Sequence, residues 1–126
     1  MTLMLLDSAS LWYRAYYGMP DTLLAPDGTS VNAIRGYVDM TARLMNVYKP
    51  DRLVACLDGD WRPSWRVEIF PEYKANRAKT PDEFRSQMSY LNDLVEGFGI
   101  TQFALEGYEA DDIIATITKQ AEREGA

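Results

Sequence analysis

The sequence predicts an α/β fold with a mainly parallel sheet. Three short apolar runs, Leu3 to Leu6, Leu53 to Leu57 and Ile100 to Leu105, have the length and bounds of buried strands. Long stretches with helical spacing separate them. Strand-then-helix alternation implies parallel pairing and right-handed crossovers. At 47% hydrophobic and 25% charged residues, the 126-residue chain can bury one small core. Three strands make a thin sheet, so the chain is expected to be the N-terminal part of a larger α/β domain.

The elements follow in order. Leu3-Met4-Leu5-Leu6 reads as a strand ending at Asp7. Ser8 or Ser10 is placed to cap a helix carrying Leu11, Trp12, Ala15 and Tyr16, which Gly18 and Pro20 stop. Residues 20 to 30 form a loop with a Pro26-Asp27-Gly28 turn. Ser30 opens a second helix with Ile34, Tyr37, Val38, Thr41, Leu44, Met45 and Tyr48 at helical spacing, and Pro50 ends it. The second strand, Leu53 to Leu57, ends at Asp58-Gly59. A non-periodic aromatic and basic segment runs from Trp61 to Lys79. Thr80-Pro81-Asp82-Glu83 predicts a capping box opening one helix through Phe84, Met88, Leu91, Leu94, Val95 and Phe98. Ile100 to Leu105 is the third strand, and Gly107-Tyr108 turns into a last helix with Ile113, Ile114, Ile117 and Ala121.

Composition narrows the chemistry. Without histidine, there is no His-based triad, imidazole zinc site or histidine general base in these residues. The single cysteine, Cys56, allows no intrachain disulfide and is expected to be inert packing in its strand. The longest apolar run near the start is too short for a signal peptide or membrane span, so a cytoplasmic protein with no membrane partner is expected. A net charge of -6 argues against nucleic-acid binding by bulk charge, but not by a local basic patch.

The acids are placed suggestively. Ligands of open parallel sheets sit at the carboxyl ends of the strands. Asp7 follows the first strand, Asp58 the second, and Glu109, Asp111 and Asp112 lie on the turn and first helical turn after the third. Helix-dipole stabilisation explains acids in a first helical turn equally well, but three strand ends delivering five carboxylates is a more specific pattern. Like charges held together favour a cation between them, and oxygen-only ligands suit Mg²⁺ or Mn²⁺. Two such ions roughly 4 Å apart can clamp the attacking and leaving oxygens of a phosphodiester displacement.

The basic segment supplies the complementary part. Arg62, Arg66, Lys74, Arg77 and Lys79 against Glu68 and Glu72 give it a charge of +3 within a chain of -6. Lys and Arg meet phosphates while aromatic faces stack on bases. Trp61 and Trp65 are expected in the core. Most of Trp12, Tyr13, Tyr16 and Tyr17 are expected there too, with Arg14 facing the site. Neither a GxxxxGK phosphate loop nor a GxGxxG after the first strand is present.

Leu5-Leu6-Asp7 with Arg14, Leu57-Asp58, Pro71-Glu72-Tyr73-Lys74-Ala75-Asn76-Arg77 and Gly107-Tyr108-Glu109-Ala110-Asp111-Asp112 occur in that order. Over essentially the whole chain this resembles the bacterial and phage 5′-3′ exonuclease and flap endonuclease family, which includes the N-terminal nuclease domain of bacterial DNA polymerase I. The resemblance implies a PIN-like, three-layer α/β/α fold, incomplete at its C-terminus, with a helical arch over about residues 70–98. It implies metal-dependent hydrolysis, with Mg²⁺ or Mn²⁺, of DNA or RNA-DNA near a 5′ end or flap in replication and repair. It implies that Asp7, Asp58, Glu109 and Asp111 hold metal, and that Asp112 supports the site directly or through water. Lys74 and Arg77 would be catalytic and contact the scissile phosphate, and Tyr73 would stack on a nucleotide. With Arg14 and Lys79 these residues form the expected nucleic-acid contact.

Two departures from the family stand out. Many relatives have Asp-Gly after the first strand where this chain has Asp7-Ser8. The family's later aspartates, largely for the second metal, are not in these 126 residues. The chain is therefore expected to be a truncated, impaired form whose unpaired sheet edge allows self-association. A catalytically silent nucleic-acid-binding module and a PIN-domain ribonuclease are the competing readings.

Overall fold

A computed structural model describes residues 1–77 and 80–126. Strand β1 (Leu3–Asp7) pairs in parallel with β2 (Arg52–Cys56), which pairs in parallel with β3 (Thr101–Phe103). Leu5 stands beside Val54, and Val54 beside Thr101. Alternation along β2 then divides the interior into two clusters. Leu53, Ala55 and Leu57 pack in the first and Val54 and Cys56 in the second.

The first cluster joins the sheet to α1 (Ser8–Gly18), α2 (Asn32–Tyr48), α4 (Asp82–Met88) and α5 (Leu91–Gly97), through Trp12, Tyr37, Phe84, Leu91 and Val95. Burying side chains of this size contributes about 1.5–3 kcal/mol each. The second cluster joins it to α6 (Ala110–Arg123) through Ala110 and Ile113. The result is the expected three-layer α/β/α order. Helices α1 and α2 cross so closely that a Cβ on Gly36 would stand 2.7 Å from that of Ala15. Among the described residues no helix is long and apolar enough to cross a membrane.

Several expectations are corrected. Asp7, not Ser8 or Ser10, caps α1: its carboxylate accepts from the Ser10 backbone N–H at 3.2 Å and the Ser10 hydroxyl at 2.8 Å. Ser8 is buried with its hydroxyl 3.2 Å from that of Tyr37, which gives the Asp-Ser departure a packing role. Ser30 does not cap α2 either; its hydroxyl donates to Asn32 Oδ1. The single helix expected after Thr80 is two, α4 and α5, broken at Ser89-Tyr90, and Pro81 rather than Thr80 stands at the N-cap of α4 with no side-chain cap. The hydroxyls of Ser86 and Ser89 bond back to the carbonyls of Glu83 and Ser86, a competition with the helical ladder that favours such breaks. The third strand is only three residues long. A short helix, α3 (Ser64–Ile69), lies inside the segment read as non-periodic.

Cys56 is fully buried, and burial, reinforced by the negative charge of Asp7, pushes its thiol up to about 11. A water-soluble aromatic disulfide reagent at pH 8 is expected to leave Cys56 unmodified in the folded chain and to react at once after denaturation. Comparable rates in both states would show that the strand opens locally.

Candidate metal and nucleic-acid site

Parallel pairing brings the three strand ends to one edge. Asp7 closes β1, Asp58 follows β2, and Glu109 stands at the N-cap of α6. Backbone bonds hold the edge together: Leu57 N–H donates to the Phe103 carbonyl at 2.8 Å, and Gly59 and Asp60 N–H donate to that of Tyr108 at 3.1 and 3.0 Å. Gly59 lies so near Leu105 that a Cβ would sit 2.0 Å from its carbonyl oxygen, so no other residue fits there. Asp58 Oδ1 accepts from Ala110 N–H at 2.7 Å and ties the second strand end to the start of α6. Asp58 is exposed, yet desolvation by the surrounding protein raises its carboxyl above the ordinary value. Asp7 and Glu109 add to that rise, while the Ala110 N–H and Lys74 oppose it.

Glu109 is the centre of the polar network, with only 4% of its surface exposed. The Tyr73 hydroxyl donates to its two oxygens at 2.9 and 2.7 Å. The Lys74 ammonium pairs with Oε1 and the Arg66 guanidinium with Oε2. Arg66 also makes a two-pronged pair with Asp112, with Nη1 to Oδ2 at 2.9 Å. Asp112 in turn accepts from the Glu109 backbone N–H at 2.9 Å. Burial pushes the Glu109 carboxyl up, but hydrogen bonds from Lys74 and Tyr73 and the charges of Lys74 and Arg66 outweigh it and hold it below the ordinary value. The Arg66 hydrogen bonds hold Asp112 low despite partial burial.

The basic segment is folded to make these pairs. Arg66 lies on α3, its guanidinium 4.3 Å over the Trp65 ring, and the Trp65 indole N–H donates to the Gly107 carbonyl at 2.8 Å. Arg62 pins the turn after α3 by donating to the carbonyls of Tyr73 and Pro71 at 2.8 and 3.1 Å. Lys74 has a left-handed backbone, φ 54°, which costs an L-residue about 1 kcal/mol. Its ammonium group also donates to the Trp61 carbonyl at 2.6 Å. Trp61 and Trp65 are therefore not in the core: they are 56% and 38% exposed, and with Phe70 and Tyr108 they leave an aromatic rim beside the charges. Tyr13 and Tyr17 are exposed as well.

Of the expected site residues, the fold brings Asp58, Glu109, Asp112, Tyr73 and Lys74 together. Asp7 is near enough to act on Asp58 electrostatically, while its oxygens cap α1. Asp111 is exposed in the first turn of α6. Arg77 is exposed, with its backbone N–H donating to the Lys74 carbonyl. Arg14 lies in an outer groove of α1 and α2 with Leu11, Met40 and Arg43, rather than among the carboxylates. Lys79 is outside the described residues. Arg66, counted in the basic segment but given no role there, is the residue that sequence reasoning missed. Its signal was spacing: it lies seven and eight residues before Tyr73 and Lys74.

The donor set suits a hard divalent cation, because Asp7, Asp58, Glu109 and Asp112 all offer carboxylate oxygens. Among the described residues, no three acids form a ready-made ligand group, and Glu109 and Asp112 direct their oxygens at Arg66, Lys74 and Tyr73.

Comparison with known proteins identifies the lineage. The family model described as 5′-3′ exonuclease, N-terminal resolvase-like domain, matches residues 2–126. A 5′-3′ exonuclease of Streptomyces coelicolor is 46% identical over 129 residues, covering 94% of this chain and 43% of the relative. One from Mycobacterium tuberculosis is 40% identical over 134 residues, covering 97% and 42%. DNA polymerase I of Mycobacterium tuberculosis is 42% identical over 125 residues, which are 98% of this chain and 14% of that protein. The chain thus spans less than half the length of these curated relatives. Among solved structures, a bacteriophage T5 flap endonuclease in a pseudo-enzyme-product complex with DNA and metal ions superposes with a TM-score of 0.67 at 27% identity, over 94% of this chain and 44% of that one. The chain belongs to the 5′-3′ exonuclease family, matching its N-terminal resolvase-like domain from residue 2 to residue 126.

Proposed function

We propose that this chain provides the first part of the active site of a divalent-metal-dependent 5′ nuclease that cuts DNA, or RNA-DNA, at a 5′ end or flap. The observation that carries the reading is the meeting of Asp58, Glu109 and Asp112 with Tyr73, Lys74 and Arg66 at one sheet edge. Carboxylates and cations are the two halves of a phosphodiester site: one recruits metal, the other phosphate. The metal residues are Asp7, Asp58, Glu109, Asp111 and Asp112, and the ion is Mg²⁺ or Mn²⁺. When bound, it supplies an activated water and charge neutralisation at the phosphate. Lys74 and Arg77 stabilise the charge that grows on the phosphate oxygens, and Tyr73 presents a ring to a nucleotide. Trp61 and Phe70 offer further stacking surface at the rim. These 126 residues are proposed to be impaired in cleavage by themselves, because the curated relatives are more than twice as long.

The test is cleavage of a labelled 5′-flap DNA with Mn²⁺. It is run on the chain as it stands and on the chain continued with the remainder of the Streptomyces coelicolor relative. The continued protein is expected to release the flap, and Asp58→Asn to lose cleavage on the order of 10³-fold while still binding the DNA. Binding that ignores both Mn²⁺ and Asp58→Asn, with no cleavage, would leave a silent binding module. Preference for an RNA hairpin would point to a ribonuclease.

A further inference from the structure

Three side chains converge on Glu109 through four hydrogen bonds. Tyr73 reaches both oxygens, Lys74 takes Oε1 and Arg66 takes Oε2. Arg66 also closes on both oxygens of Asp112. A carboxylate so enclosed cannot also face a metal, since its in-plane lone pairs are already engaged. The partners are not loose surface charges. Lys74 and Arg66 keep only 18% and 23% of their side chains exposed, and each has a second anchor: the Trp61 carbonyl for Lys74, the Trp65 ring for Arg66. The unusual backbone at Lys74 is part of the same arrangement.

Resting on the nuclease reading above, we propose that Arg66 and Lys74 are place-holding cations. They lock Glu109 and Asp112 in one arrangement, and a divalent metal at these carboxylates displaces them. Arg66 is in this sense a positioning residue and acts through Glu109 and Asp112. Displacement leaves two positive side chains without anionic partners beside the site. A phosphodiester is the chemical class they would meet next, because it offers paired oxygens to a guanidinium. Reciprocally, a phosphate that draws the cations away frees the carboxylates for metal. Metal and nucleic-acid strand therefore bind with positive coupling, equal in both directions.

Nitrogen-15 NMR of the arginine side chains tests this on the wild-type chain as Mg²⁺ is added. A guanidinium locked by a two-pronged pair gives separate Nη signals; a freely turning one gives a single averaged signal. The Arg66 signals, assigned by their loss in Arg66→Met, are expected to be separate in EDTA and to merge as Mg²⁺ saturates the backbone shifts of residues 109–112. Saturable shifts with Arg66 still locked would overturn the displacement while leaving the metal reading intact. No saturable shift at all would overturn the metal reading, and the inference with it. Calorimetry adds a second check: Arg66→Met is expected to bind Mg²⁺ about tenfold more tightly. Weaker binding would show that Arg66 holds the carboxylates for the metal instead of competing with it.

Discussion

Glu109→Gln is expected to have two separable effects, one on the fold and one on the chemistry. The substitution keeps the side chain's size and one carbonyl oxygen for Tyr73, but turns an amide toward Lys74 or Arg66. Leaving the part-buried Lys74 without its anion, while Arg66 keeps only Asp112, costs roughly 2 kcal/mol, read as a lower melting temperature in EDTA. In the continued protein, cleavage is expected to fall on the order of 10³-fold, because the proposed metal site loses a ligand. A variant melting at the wild-type temperature would show that the ion pairs contribute nothing to folding. One cleaving at the wild-type rate would remove Glu109 from the ligand set.

The stability effect carries a pH signature whose sign follows from the environment. Glu109 and Asp112 are both held below their ordinary values of 4.5 and 3.8. A lowered folded-state pKa gives stability that is fully present above the unfolded value and is lost as pH falls through the folded one. The gap in melting temperature between wild type and Glu109→Gln should be constant from about pH 8 to pH 5 and begin to close as pH falls below the ordinary Glu value of 4.5. Asp58 runs the other way. Its raised carboxyl means that protonation favours the folded chain, so it softens the acid-side loss without removing the gap.

The layout of the strands was legible because buried parallel strands are continuous apolar runs, and Leu3 to Leu6 and Leu53 to Leu57 are both uninterrupted. The acids were legible for the same reason: once the strands are placed, Asp7, Asp58 and Glu109 fall at their ends. The pairings among site residues were not. Arg66 lies 43 and 46 residues from Glu109 and Asp112, and no local pattern encodes a contact across that separation. Helix α3 escaped notice because six residues give less than two turns and none of them is buried. It is held from outside, by Trp65 on Gly107 and Arg66 on Asp112. Trp61 and Trp65 were misplaced because an aromatic ring reads as core by composition, whereas here the rings flank charges and one indole N–H has a carbonyl partner.

Gln87→Leu is expected to be the most destabilising single change outside the site, at about 3 kcal/mol or more. Helix α2 begins without a cap of its own. Its first free N–H groups, on Ala33 and Ile34, instead donate to Gln87 Oε1, from α4, at 2.8 and 3.2 Å. Gln87 Nε2 donates to Asn32 Oδ1 at 2.8 Å, and Asn32 Nδ2 donates to the carbonyls of Tyr16 and Met19 at the end of α1. Gln87 and Asn32 are 2% and 1% exposed, so water cannot replace either partner without opening the interior. Leucine fills the volume but strands two backbone donors and leaves Asn32 Oδ1 with the Ser30 hydroxyl alone. Gln87→Glu separates packing from bonding: it keeps acceptors for Ala33 and Ile34, loses the donor to Asn32, and buries a charge. If Gln87→Leu melted within a degree or two of wild type, the bridge would be dispensable and α4 would be held by the apolar packing of Phe84 and Met88. The expected large drop would instead mean that the segment joining the basic motif to the third strand is fixed to α1 and α2 by a polar lock. Lys74 and Arg66 would then move against a firmly held frame when they leave Glu109.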